Sequence, residues 1–205
     1  MKRLTHGIAI AAILVPFSWA QAQISYSYLE GSFTSNEVET GAFGERDAVG
    51  VDLAISYEIE SFLHLFAGYR LIDVDGLPLE QEAVETGVGF NFDFDENRNI
   101  FLNLSALTFD VELDDPTFGT VTGDEDGLGF SIGYRETNHT RLEFEISLDY
   151  VELDKANTSN RYMDMSLQYE ITPRFKVLGG IRFGGDDNNF RAGVRYYLPN
   201  RLGQR

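Results

Sequence analysis

The sequence predicts an all-β protein, an antiparallel up-and-down transmembrane β-barrel. Three observations predict this fold: apolar and polar residues alternate along most of the chain, short and long connections alternate between these segments, and an export signal precedes them. A period of two is the repeat of a strand, whose successive side chains point to opposite faces, and differs from the helical period of 3.6. Ten such segments are present, and eight strands is the alternative left open.

Composition excludes several classes of protein. The chain has 205 residues, of which 43% are hydrophobic and 24% charged, too apolar for a disordered chain and too polar for a bundle of membrane helices. The net charge of −17 argues against a nucleic-acid partner. The absence of cysteine excludes disulfides, thiolate metal sites and a lipid-modified cysteine.

The first 22 residues read as a cleaved signal peptide. Lys2 and Arg3 form a positive start, an apolar segment follows over residues 8–19, and Ala20 and Ala22 are the small residues that a signal peptidase reads. We therefore expect a signal peptide over 1–22, a barrel over 23–198 and a short tail over 199–205.

The strands follow in order. Alternation is clearest over residues 49–57, and the first segment loses its phase at Glu30-Gly31, which predicts a β-bulge there. The remaining strands are predicted near residues 24–36, 62–72, 84–94, 100–112, 128–135, 141–150, 163–170, 175–184 and 190–197.

The connections between strands fall into two sets. Short turns are predicted around 59–60, 95–98, 136–140 and 173–174. Longer polar loops are predicted near 38–47, 74–82, 114–126, 153–160 and 185–188. Short turns at one end and longer loops at the other are typical of a bacterial outer-membrane barrel, with the short turns on the periplasmic side.

Two features of the strands favour apolar faces that point outward to lipid. The polar faces are rich in glycine, which suits a crowded lumen. Aromatic residues gather on the apolar faces near the short turns and predict an interfacial girdle, formed by Tyr57, Phe92, Phe94, Tyr134, Phe144, Tyr169, Phe175 and Tyr196. A soluble, lipocalin-like barrel that binds an apolar ligand is the alternative.

On these residues the chain resembles the small bacterial outer-membrane β-barrel proteins, the group that includes the attachment and invasion barrels and the outer-membrane-protein-A-like barrel. The resemblance lies in the export signal, the tyrosine-rich opening Ile24 to Gly31, the segment Leu65 to Tyr69 and the last strand, Phe190 to Tyr197. It implies the bacterial outer membrane, with membrane lipid, lipopolysaccharide and the barrel assembly machinery as partners. One departure is that residues follow Tyr197, where such barrels usually end on an aromatic residue.

The polar faces predict a charged network inside the lumen. Counting back from the turn at Pro173 pairs Glu170 with Lys176 and Asp164 with Arg182. Across the preceding loop we expect Glu143 near Glu170 and Asp149 near Asp164. The predicted network comprises Glu143, Asp149, Asp164, Glu170, Lys176, Arg182, Arg191 and Arg195. We interpret it as a salt-bridged plug, with a charged constriction or catalytic cluster as the alternative.

Signals for catalysis and metal binding are weak. His64 is expected inside the lumen with Ser56 as its cross-strand neighbour, whereas His139 is expected in a short turn; neither comes with the orienting carboxylate of a triad. Acidic clusters at residues 73–75, 114–115, 124–126 and 186–187 lack the ligand spacing of a calcium loop, although divalent cations at these loops are possible partners. The sequence thus predicts no catalytic residue, cofactor or dedicated metal site.

The function that the sequence favours is non-enzymatic, in envelope structure or in surface interaction through the acidic extracellular loops. A narrow porin-like channel for small solutes is the alternative, and it requires a continuous water path past the charged lumen.

Overall fold

Ten antiparallel strands form one closed barrel in the computed structural model, which describes residues 24–39, 45–115, 119–138, 140–155, 158–184 and 188–199. Consecutive strands are neighbours and β1 closes on β10, so the predicted up-and-down barrel of ten strands is confirmed. The strands are β1 Tyr28–Glu39, β2 Glu45–Glu60, β3 Leu63–Val74, β4 Leu79–Asp95, β5 Arg98–Asp115, β6 Gly119–Thr137, β7 Leu142–Leu153, β8 Thr158–Thr172, β9 Phe175–Gly184 and β10 Asn188–Tyr197.

Several sequence-based predictions lie outside the described residues. They include the signal peptide with Ala20 and Ala22, the turn residue His139, the tail from residue 200 onward, and parts of the longer loops at 40–44, 116–118, 156–157 and 185–187. In the part of the chain that is described, no helix has the length and apolar character needed to cross a membrane.

The apolar faces of the strands turn outward. Leu53 is 52% exposed, Ile132 42% and Leu148 58%, and they belong to a belt of outward-facing apolar side chains around the barrel. Water-exposed apolar surface on this scale is unfavourable for a soluble monomer, whereas the hydrocarbon of a bilayer covers it at no such cost. The belt therefore excludes the alternative of a soluble barrel with an apolar interior.

Four short connections lie at one end of the barrel, as predicted: they follow Glu60, Asp95, Thr137 and Thr172 and lead into β3, β5, β7 and β9. The first lies at residues 61–62 and not at the predicted 59–60, because β2 continues to Glu60. Three of these hairpins contain a register shift next to the turn, at Glu58/Glu60, Asp93/Asp95 and Glu170/Thr172.

The bulge predicted at Glu30-Gly31 is wrong. From Tyr28 to Glu37, β1 pairs with both β2 and β10 in unbroken register. The sequence loses its phase there because Tyr26 and Tyr28 lie inside the lumen, whereas the next apolar residues, Leu29 and Phe33, are exposed on the outer face.

The opposite end carries longer strands and shorter loops than predicted. Strands β4, β5 and β6 have 17, 18 and 19 residues, more than the 9–11 or so that a tilted strand needs to span a bilayer. The loop predicted over 114–126 is wrong, because β6 already begins at Gly119. Residues 119–126 show no apolar–polar contrast because this part of the hairpin rises above the apolar belt.

Candidate functional site

The lumen is the candidate functional site, and glycines shape it. A Cβ atom at Gly89 would lie 2.1 Å from the His64 imidazole, and one at Gly133 would lie 2.2 Å from the Phe101 ring. Neither position has space for a larger residue unless the neighbouring ring moves. The glycines on the polar faces therefore admit bulky inward side chains into a narrow barrel, as the sequence predicts.

A layer of buried side chains fills the lumen at the short-turn end, and we call it the periplasmic plug. Strands β2 to β10 and the segment before β1 each contribute at least one side chain that is less than one-tenth exposed. The members are Tyr26, Ser56, His64, Asn91, Asn99, Arg135, Glu143, Gln168, Lys176, Arg195 and Tyr197. Because water barely reaches them, these side chains close the lumen at this level.

Arg135 and Glu143 form the charged centre of the plug, and each is 1% exposed. Arg135 Nε donates to Glu143 Oε1 at 2.6 Å, and Arg135 Nη2 donates to the Tyr197 hydroxyl at 2.8 Å. The second carboxylate oxygen of Glu143 accepts from the Lys176 ammonium. A buried charge is tolerated when it is paired and hydrogen-bonded, and Glu143 meets that condition with two cations.

Arg195 extends this network toward β1. Its Nε donates to Glu30 Oε2 at 2.5 Å, its guanidinium lies 4.1 Å from the centre of the Tyr28 ring, and its Nη1 lies 3.7 Å from Glu145 Oε2. Arg135 also reaches the same Glu145 oxygen, at 3.3 Å. The acids and bases of the plug are thus cross-linked across several strands.

A second charged cluster lies nearer the extracellular end. Asp164 accepts from Arg191 at 2.6 Å and from Arg182 at 3.2 Å, and Arg182 is also 3.7 Å from Asp149. These residues come from β7, β8, β9 and β10. A separate pair, Arg70 and Asp52 at 2.6 Å, joins β3 to β2.

The register reproduces part of the predicted network. Asp164 is opposite Arg182 and Glu170 is opposite Lys176, as counted from Pro173. The predicted neighbours across the β7–β8 loop are wrong, since Glu143 is opposite Gln168 and Asp149 is opposite Tyr162. The offset arises because the strands extend to Leu153 and Thr158, which shortens that loop. In the observed register the Lys176 ammonium pairs with Glu143.

Several members of the network were missed at the sequence level. Arg135 and Glu145 have the inward phase of their strands, so alternation alone could have identified them. Glu30 lies where the alternation of the first strand breaks, so its inward position could not be read from the pattern. Tyr26 and Tyr28 could not be found this way because an aromatic residue near a short turn was expected to face lipid.

All eight residues of the predicted aromatic girdle lie on outward-facing positions of their strands. Seven of them lie within four residues of a short turn, and Tyr196 lies at the end of β10. Tyr57, Phe92, Phe94 and Tyr169 are between 45% and 66% exposed. This placement is the one that an interfacial girdle requires, and the girdle's role stays a prediction.

A serine–histidine pair does not form in the lumen. The register puts Glu58 opposite His64 and Phe66 opposite Ser56, because the turn lies at residues 61–62 and not at 59–60. His64 instead stacks on Tyr26, with ring centroids 4.5 Å apart. Within the described residues, no three histidine or acidic side chains converge as a metal site would require. Of the acidic clusters, 186–187 and the side chains of 114–115 lie outside that part.

The outer surface above the apolar belt is acidic. Glu82, Asp110 and Asp124 are directly opposite one another on β4, β5 and β6, and Glu80 is opposite Glu112 in the next row. Like charges directly opposite each other destabilise a sheet. This part of the surface is therefore not optimised for stability.

Solved structures with the same fold identify the type of barrel. The chain resembles Neisserial surface protein A (TM-score 0.50, 14% identity, covering 85% of this chain and 98% of that one). It also resembles the β domain of the Bordetella autotransporter BrkA (0.50, 10%, 84% and 99%) and the NanC porin (0.50, 10%, 83% and 100%). The fold is that of the small outer-membrane β-barrels.

No protein-family model matches the sequence, and no curated protein is significantly similar to it. The likeness is thus one of fold. Together with an apolar belt that only a bilayer covers, it places the chain in the bacterial outer membrane.

Proposed function

We propose that the protein is a non-enzymatic outer-membrane barrel that is closed on its periplasmic side and acts from its extracellular side. The periplasmic plug carries this proposal, because buried side chains from around the whole barrel meet there. A continuous water path would have to displace the Arg135–Glu143–Lys176 contacts. These contacts cross-link β6, β7 and β9 inside the lumen and so oppose opening at this level.

The acidic extracellular surface supports surface interaction as the role. Glu82, Asp110 and Asp124 face one another in a row of like charge; Lys155 pairs with Asp124, and a positively charged partner would offset the repulsion among the others. In this proposal outer-membrane lipid and lipopolysaccharide surround the apolar belt. Divalent cations would bridge the carboxylates of the acidic surface above the belt to lipopolysaccharide phosphates. The assembly machinery is the partner during insertion.

A narrow porin-like channel is the second candidate. It is favoured by a cavity of about 400 Å³ in the lumen above the plug, lined by charged residues that include Asp164 and Arg182. This candidate requires that water also pass the plug.

Planar-bilayer recordings of the refolded protein separate the two candidates. The closed barrel predicts no stepwise current at protein doses for which insertion is verified by protease protection. Steady stepwise currents that change in Arg182→Ala, but not in Arg161→Ala on the exposed outer face of β8, would overturn the proposal and establish the channel.

A further inference from the structure

The cavity above the plug, which we call the vestibule, has the dimensions of a small-molecule site. Its volume is about 400 Å³, within the range of pockets that hold drug-sized ligands. Arg195 of the plug and the buried ring of Phe101 lie at its lower end. The vestibule therefore ends at the plug in this structure.

Apolar and polar side chains share the lining of the vestibule. The inward-facing apolar ones are Phe66, Leu107, Phe109 and Val151, on the same strands as Arg70, Ser105 and Asp149. On β8 to β10 the lining is polar, with Tyr162, Asp164, Arg182, Asn189 and Arg191. Such a recess fits a molecule that combines an apolar body with a polar group.

The charges that line the vestibule favour a cation. Six carboxylates and four guanidinium groups line it, so the lining is net negative. Each guanidinium already has a carboxylate: Arg70 has Asp52, Arg182 and Arg191 share Asp164, and Arg195 has Glu30. An anionic ligand would therefore have to compete with existing ion pairs.

Glu85 is the carboxylate left without a contact. It lies on the inward face of β4, opposite Gly68 and Leu107, and it lines the vestibule. It forms no ion pair or hydrogen bond with another residue of the described chain, and Arg182, which lies within its electrostatic range, contacts Asp149 and Asp164 instead. A partly buried carboxylate beside apolar side chains gains most from a cationic partner.

A second observation is that acceptors near the vestibule lack partners. Asn36 and Asn103 are among the residues that line it, and their side-chain oxygens are buried with no hydrogen-bond partner in the described chain. Asn36 is 6% exposed as a whole residue. Acidic strand ends above the belt, such as Asp124 and Asp126, would raise the concentration of cations near the extracellular end.

We propose that the vestibule binds small amphipathic organic cations, with the ammonium group at Glu85 and the apolar body along Phe66, Leu107 and Phe109. This site does not depend on the closed plug, because a recess of this lining would bind the same ligands in a conducting barrel. Conductance thus tests the proposed function, and ligand binding tests the vestibule.

The test uses three probes that share one apolar body: phenethylammonium, the neutral 2-phenylethanol and the anion phenylacetate. Each is titrated into the full barrel in lipid nanodiscs, and NMR follows the backbone amides of residues 83–87 and 105–109. Phenethylammonium should bind and shift these amides. Phenylacetate or phenylethanol binding as tightly would overturn the proposal, as would the absence of any shift at millimolar phenethylammonium.

Two variants locate the site. Glu85→Gln keeps the shape and removes the charge, and we expect affinity to fall about tenfold or more, as for loss of a charged hydrogen bond. The control is Glu80→Gln, on the exposed outer face of the same strand. It also removes one negative charge, but outside the lumen, so it should leave the affinity within about twofold. An unchanged affinity in a folded Glu85→Gln barrel, or an equal loss in both variants, would refute the assignment.

Discussion

Arginine at Ile132 tests the assignment of the apolar belt most quantitatively. Ile132 lies on the outer face of β6 between Leu102 and Leu148, and it is 42% exposed. The nearest outward charges on β6 are Asp126 and Glu136, ten residues apart. At about 3.3 Å per residue and a tilt of about 40°, that separation is about 25 Å in height, the height of the apolar band of an outer-membrane barrel.

Ile132 is four residues from Glu136 and six from Asp126, which puts it near the middle of the bilayer. Ile132→Arg should therefore cost about 2–4 kcal/mol of unfolding free energy. The control is Thr122→Arg, on the outer face of β6 and four residues above Asp126. At about 10 Å above the apolar band it should cost about 0–1 kcal/mol.

Equilibrium denaturation from lipid vesicles measures both costs. Far-UV circular dichroism is the appropriate signal because the single tryptophan, Trp19, lies in the predicted signal peptide. Equal costs at the two positions would refute the outward assignment of β6, and so would a larger cost at Thr122.

Two further predictions concern the lumen and the extracellular hairpin. Gly89→Ala should lower the free energy of unfolding by about 1–3 kcal/mol in the same assay, because its Cβ would meet His64. The control is Gly179→Ala, whose Cβ meets nothing within 4 Å and which should be nearly neutral. Equal effects of the two substitutions would contradict the crowded lumen. The pKa of the Asp124 carboxyl, above the belt, is lowered because Lys155 donates a hydrogen bond to it and adds positive charge beside it. Carbon-detected NMR titration should show this pKa rising in Lys155→Gln, since the ionised carboxylate loses its partner, and an unchanged pKa would show that the pair does not form in solution.

The sequence predicts the parts of the fold that alternation and short turns determine. The strand count, the outward faces and the Asp164–Arg182 register follow from the period of two and from a two-residue turn at Pro173-Arg174. Glu143 was misplaced because the register across β7 and β8 depends on a loop whose length the polar residues near 153–160 leave open.

The plug and the upper hairpins were harder to predict for two physical reasons. Tyr26 and Tyr28 fill the lumen, so an aromatic residue does not by itself mark the lipid face. Above the bilayer, residues 119–126 have no apolar side to set a period, although backbone pairing with β5 continues through them. Glu85 was not singled out because a lone inward carboxylate has no signature in the sequence, and its isolation is visible only once its neighbours are placed.

The central claim is a closed barrel whose apolar face meets outer-membrane lipid. The most direct measurement fractionates bacterial envelopes and compares the mobility of the protein on a denaturing gel with and without boiling. A closed barrel, whose strand edges are all hydrogen-bonded to neighbours, should stay folded in detergent until heated. The account predicts a heat-dependent shift in the outer-membrane fraction, and soluble protein with no shift would contradict it.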